Sequence, residues 1–291
     1  MKRAVRIGFV DAIISSVSYG LYPLFAILLY NTGSSVSNSL FYRYLFAFLI
    51  YLYILKVHKK INLSVTVKEF IILFFVGISF AVSSIALFAA LKYIDSGIAC
   101  TIVFVYPVIV ALIMTLFFHE KLTKTTVISI ACAFLGVALL NYAGGMSTGG
   151  KFLGFLFSVC GAIMYAMYMI FVKTVKAIKY MQPEKVTFYV MLSGTVFYFI
   201  CLRFGLDFQL LTRPNQWIYV LCLAVIPTIV AIETVNVAIK LIGATKTSII
   251  GALEPLTAII VGVLVFGEQV SLLNAVGFLL VIIGIFLVVR K

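Results

Sequence analysis

Charge is what this 291-residue sequence has least of. Asp, Glu, Lys and Arg make up 11% of it, against about 25% in a soluble globular domain. So little polar surface excludes a fold wetted on its outside. Histidine occurs only 2 times, as His58 and His119, both near expected loops. That excludes a histidine metal cluster or a Ser-His-Asp triad within the apolar segments. Asp11, Asp95 and Asp207 all fall near segment ends, so a pair of mid-membrane aspartates is excluded as well. No Gly-rich phosphate cradle of Walker type is present, and ATP is not expected to drive the protein. The 5 cysteines (Cys100, Cys132, Cys160, Cys201, Cys222) all lie inside apolar runs without Cys-x-x-Cys spacing. They read as packing thiols, not as a disulfide framework or a zinc site. No enzyme activity, cofactor or metal is expected.

What the sequence has in quantity is apolar residues, 64% of the total. A run of 18 or more reads as a membrane-spanning helix, because the hydrocarbon core needs about 20 residues at ~1.5 Å rise. Ten stretches qualify, with soft edges: Ile7–Leu29, Val36–Leu55, Glu69–Leu91, Gly97–Phe118, Thr125–Asn141, Phe152–Val172, Val186–Leu202, Gln216–Ile239, Thr247–Phe266 and Leu272–Val289. The connections between them are too short for a soluble domain. The first stretch follows Lys2, Arg3 and Arg6 but is too long for a signal-peptide core, and no small-residue cleavage site closes it.

The net charge of +13 reads through the positive-inside rule, not as a nucleic-acid footprint. With a cytoplasmic N-terminus and ten spans, seventeen of the 22 Lys and Arg fall on the cytoplasmic side. Four (Lys92, Lys151, Arg203, Arg213) fall outside, and Arg43 lies within a span. Such asymmetry requires an even number of spans and puts both termini in the cytoplasm. The expected location is the cytoplasmic (inner) membrane.

An internal repeat divides the chain into residues 1–147 and 148–291. A shift of 148 places Lys92 on Lys240, Pro107 on Pro255, Glu120 on Glu268 and Gly136 on Gly284. A shift of 146 places Tyr19 on Tyr165 and Tyr22 on Tyr168. Each half holds five spans, an odd number, so the halves enter the membrane from opposite faces. The expected fold is all-α and integral to the membrane: ten transmembrane helices as two inverted five-helix repeats around a central cavity. Inverted repeats mark secondary transporters that bind substrate near the bilayer midplane.

Two five-span halves, each with proline in its fourth helix and glutamate at that helix's end, resemble the drug/metabolite transporter superfamily, EamA type. Glu254-Pro255, the apolar run after it, Gly267-Glu268, the upstream Asn236 and Ala238, and Arg43 in the second span carry the resemblance. It covers essentially the whole chain. It implies an inner-membrane carrier of small organic metabolites, often an exporter. Glu233 departs from the pattern, since the family more often has an aromatic or apolar residue there. No substrate is therefore carried over.

Ionisable residues inside spans are costly and default to functional candidates. Arg43 and Glu254 differ in expected depth by ~6 Å, so they either pair with each other or share a zwitterionic substrate. A purely structural pair is the alternative. Glu233 is a candidate proton-coupling group or faces a cytoplasmic vestibule, and Asp11 with Arg6 caps the cytoplasmic entrance. Glu120 and Glu268, with Thr123 and Ser271 as caps, read as anchors at helix starts. Pro107 and Pro255 each remove a backbone hydrogen bond and kink their helices, giving two matched hinges or two packing kinks. Tyr19 and Tyr22, mirrored by Tyr165 and Tyr168, could frame an aromatic site or belong to interfacial belts. Ser84, Tyr106 and Asn236 complete the substrate-binding candidates, with Ser83 beside them. The expected ligand is a small molecule, with a lean towards amino acids or aromatic compounds, and the expected partners are lipid and, in a homodimer, a second copy of the chain. A passive channel and a non-transporting receptor or assembly subunit remain as alternatives to a carrier.

Overall fold

The computed structural model describes residues 2–90, 93, 99, 102–140, 151–266 and 272–289. Among these the chain is helical. Six helices are long and apolar enough to cross a membrane: Arg3–Tyr30, Val36–His58, Val67–Ala90, Phe152–Thr174, Pro214–Ile242 and Ala244–Val265. Shorter apolar helices cover Tyr106–Phe118, Lys124–Leu139 and Ala275–Val289. Large apolar side chains such as Leu116, Phe117, Leu264 and Leu279 stand on the outside of the bundle, as lipid-facing residues do.

Several of these helices are broken, and the breaks position everything that follows. The first span divides into α1 (Lys2–Gly20) and α2 (Tyr22–Tyr30). Next come α3 (Val36–Tyr53), continued by a π-turn at Ile54–His58, and α4 (Val67–Ala90). Then follow α5 (Tyr106–Phe118), α6 (Lys124–Leu140), α7 (Lys151–Thr174) and α8 (Pro183–Cys201). The eighth stretch is α9 (Pro214–Ala224), a π-turn at Val225–Val230 and α10 (Ala231–Ile242). The ninth is α11 (Ala244–Ile250) and α12 (Leu253–Phe266), and α13 (Leu272–Val289) is the last.

Pro107 and Pro255 do not kink continuous helices as the sequence suggested. Each lies in the first turn of a helix that starts afresh, α5 or α12, where the missing N–H would have had no helical partner anyway. Pro23 starts α2 in the same way. Pro227 sits instead inside the π-turn between α9 and α10.

Helix pairings recur when each helix is exchanged for the one at the offset of the sequence repeat. Helix α1 packs on α10 as α7 packs on α4. Likewise α9 packs on α3 as α8 packs on α4, and α1 meets α12 as α7 meets α5. The pairs α3·α8, α5·α11 and α6·α13 map onto themselves. Helices α6 and α13 therefore pack on each other. At that seam a Cβ on Gly136 would lie 2.8 Å from the Gly277 carbonyl oxygen, and one on Gly284 would lie 2.9 Å from that of Ser129. Both obstacles are backbone, which cannot swing away. Gly136→Leu is expected to destabilise the protein by about 1–3 kcal/mol, read as a lower unfolding temperature in detergent. An unchanged temperature would mean that the seam is loose.

The expected cap holds on α6, where Thr123 Oγ1 accepts from the Thr126 N–H at 3.3 Å. Asp95, Cys100, Gly267, Glu268 and Ser271 lie outside the described residues.

Candidate functional site

A cavity of about 120 Å³ opens where the breaks of the first, fourth and ninth spans meet α4 and α7. At ~10–15 Å³ per water-sized sphere, it takes a molecule of on the order of ten heavy atoms. Its wall carries Tyr19, Tyr22, Ser84, Tyr106, Tyr165 and Glu254, all of them sequence candidates. Pro255 also lines it; Pro107 does not. The residue just before proline at each of the three breaks, Tyr22, Tyr106 or Glu254, faces the cavity.

The rings form a continuous cluster. Tyr19 stacks on Tyr22 with centroids 6.1 Å apart, and Tyr165 stacks on Tyr168 at 6.1 Å. Phe80 of α4 sits between the two pairs, edge-on to Tyr19, Tyr165 and Tyr168. Tyr106 meets Tyr165 edge-on at 4.7 Å. The two mirrored tyrosine pairs of the sequence thus converge on one residue that the sequence did not single out. Phe80, Ser83, Leu87 and Phe104 line the cavity too. Phe80 and Phe104 looked like ordinary apolar span residues, and nothing in the repeat marked them.

The polar groups are anchored. Ser83 Oγ donates to the Gly161 carbonyl at 2.8 Å, and Tyr106 OH donates to the Ser248 carbonyl at 3.2 Å. Tyr165 OH donates to Glu254 Oε1 at 3.4 Å. Glycine permits two close approaches here. A Cβ on Gly20 would fall 2.6 Å from the Glu254 carbonyl oxygen, and one on Gly251 would fall 1.8 Å from the Tyr106 hydroxyl.

Four sequence candidates are engaged elsewhere. Arg43, 1% exposed, does not pair with Glu254. Its Nε donates to Thr228 Oγ1 at 2.5 Å, and its second amino group donates to the Pro227 carbonyl at 2.8 Å. Pro227 has no N–H to give to the Leu223 carbonyl one turn back. Thr228 Oγ1 donates there instead, at 2.7 Å, and Arg43 closes the rest of the break. The guanidinium also lies 4.5 Å from the Tyr22 ring centroid but is not part of the cavity wall.

Glu233, the candidate proton-coupling or vestibule residue, is paired with a lysine. Lys59, just past the π-turn that ends the second span, donates to it at 2.6 Å and lies 3.6 Å from Glu184. Arg6 and Asp11 form no ion pair among the described residues. Asn236 is spent on a buried network, accepting from Tyr168 OH at 2.8 Å and donating to Thr187 Oγ1 at 2.9 Å. Tyr168 is therefore a buttress behind Tyr165. The Lys59 cluster is partly exposed, and such pairs contribute about 0–1 kcal/mol. Lys59→Gln is accordingly expected to shift the unfolding temperature very little; a large drop would show that the cluster holds the helix ends together.

Comparison with known proteins settles the class. The EamA-like transporter family matches residues 6–142 and again residues 152–290. The chain belongs to the EamA-like transporter family. It is a multi-pass membrane transporter, built from two copies of the family's domain. An uncharacterized transporter of Archaeoglobus fulgidus is 25% identical over 206 residues, which is 70% of each chain. The uncharacterized transporter YyaM of Bacillus subtilis is 28% identical over 236 residues, 78% of this chain and 74% of its own. A protein crystal structure superposes with a TM-score of 0.77 at 17% identity, covering 99% of this chain and 96% of that one. At that identity the likeness speaks for the fold.

Proposed function

We propose that this EamA-type transporter is a secondary carrier that moves a small organic metabolite through the tyrosine-lined cavity by alternating access. The observation that carries this reading is the placement of the cavity. It sits at helix breaks contributed by both halves, with Tyr106-Pro107 and Glu254-Pro255 at positions related by the repeat. Breaks of this kind are tolerated in a bilayer only where neighbours or a cavity satisfy the backbone, and carriers build their sites on them. The two halves, residues 1–147 and 148–291, enter the membrane from opposite faces. The odd number of apolar stretches in each half supports this. Rocking one half against the other then exposes the cavity to each side in turn. The distribution of Lys and Arg supports a cytoplasmic membrane location with both termini inside, and the family resemblance supports export. The ring cluster favours ligands with an aromatic or apolar body. Arg43 does not pair with Glu254, which removes that one support for a zwitterionic ligand.

Counterflow in proteoliposomes tests the reading. Vesicles loaded with one effective metabolite class are expected to take up the labelled species faster, in a saturable manner. Linear entry that ignores the load would make the protein a channel.

A further inference from the structure

The chemistry of the cavity wall selects a charge type for the ligand. Resting on the reading of this cavity as the substrate site, we propose that it takes a small organic cation, an amine or quaternary ammonium with an aromatic or apolar body, held by Glu254 and the surrounding rings.

Among the described residues, the wall carries one ionisable acid, the Glu254 carboxyl group, and no Lys, Arg or His. Among the same residues that carboxylate has a single neutral partner, Tyr165 OH at 3.4 Å, beyond the usual range for O–H···O bonds. A carboxylate at membrane depth is costly unless paired. The helix dipole compensates little here. Helix α11 ends at Ile250 and α12 starts at Leu253, so the carbonyls of one helix end offset the amides of the next start. A positive group on the ligand supplies the missing partner.

The neutral polar groups point the same way. Ser83, Ser84 and Tyr106 donate their hydroxyl protons to the backbone carbonyls of Gly161, Phe80 and Ser248. Their oxygens are left as acceptors, which suits a ligand that donates. Aromatic faces add to this, because cations are drawn to the ring quadrupole, most strongly when desolvated. A carboxylate on the ligand meets the reverse situation. Arg43 stands behind the Tyr22 ring, spends two of its nitrogens on Thr228 and Pro227, leaves only Nη1 without a partner, and is absent from the wall.

The test is binding to purified protein in lipid nanodiscs, by calorimetry, of four probes that share a phenyl body: 2-phenylethylamine, 2-phenylethanol, 3-phenylpropionate and phenylalanine. The amine is expected to bind about tenfold or more tighter than the alcohol, with the anion and the zwitterion weakest. In Glu254→Gln the amine loses its advantage over the alcohol, and an unfolding temperature close to that of the unsubstituted protein reports an intact fold. Glu254→Asp keeps the preference in part. Equal binding of amine and alcohol by the unsubstituted protein overturns the proposal without any variant, as does tighter binding of the anion or zwitterion, or a preference that survives Glu254→Gln. Counterflow separates this from the carrier reading. Saturable exchange of a compound that is not a cation sinks the cation site and leaves the carrier. Glu254-dependent amine binding without exchange of any compound does the opposite.

Discussion

Gly251→Ala is expected to disable the protein although it adds one methyl group. The added Cβ would sit 1.8 Å from the Tyr106 hydroxyl oxygen and 2.9 Å from the Ser248 carbonyl. Neither distance is possible for non-bonded atoms, so Tyr106 must leave its place on the cavity wall or the α11–α12 break must open. Overpacking of this kind costs about 1–3 kcal/mol, and here it falls on the site itself. Transport should drop sharply, with a lower unfolding temperature. A second substitution identifies the cause. Tyr106→Phe removes the offending oxygen, so Gly251→Ala with Tyr106→Phe should regain much of the stability lost by Gly251→Ala alone. Such non-additivity is expected for residues in direct contact. Additive losses would place the damage in the Gly251 backbone turn instead.

Arg43→Lys is expected to be more damaging than Arg43→Met, against the usual ranking by charge. The guanidinium serves two acceptors at fixed positions, Thr228 Oγ1 and the Pro227 carbonyl, and packs near the Tyr22 ring. A lysine ammonium is a single point on a flexible stem and cannot reproduce that fork. It keeps a full charge buried while losing a charge-assisted hydrogen bond of about 1.5–3 kcal/mol and part of the ring attraction. Methionine leaves the Pro227 carbonyl without its donor but brings no charge to desolvate. Unfolding temperatures in detergent should therefore fall from the unsubstituted protein to Arg43→Met, and fall again to Arg43→Lys. If the lysine variant is the more stable of the two, the charge itself and not the fork holds the break.

The legible part of this protein was whatever stood out against an apolar background. Glu254, Tyr19, Tyr22, Tyr106 and Tyr165 are conspicuous because polar groups inside spans are scarce, and the repeat offsets paired them correctly. All five line the cavity. Partners were less legible, because several are backbone atoms. Arg43 is held by the Pro227 carbonyl and the Thr228 hydroxyl, and no side-chain pattern announces a backbone acceptor. The partner of Glu233 was hidden for a related reason. Counting residues at ~1.5 Å each assumes a regular helix, whereas the second span ends in a π-turn at Ile54–His58 that leads into Lys59, the partner of Glu233. Phe80 and Phe104 were invisible because an apolar residue on a cavity wall looks like one facing lipid. The prolines were located correctly but misread, since sequence alone does not distinguish a kinked helix from one that stops and starts again.

Blocking the cavity covalently tests most directly whether it carries the transported molecule. Leu87 lines the cavity and Leu116 stands on the outside of the bundle. With the 5 native cysteines replaced by alanine, Leu87→Cys and Leu116→Cys would each be treated with N-ethylmaleimide and assayed by counterflow. Modification of Leu87→Cys should stop exchange, transported compound should slow the modification, and the modified Leu116→Cys protein should exchange as before. Undiminished counterflow through fully modified Leu87→Cys would contradict the cavity as the path.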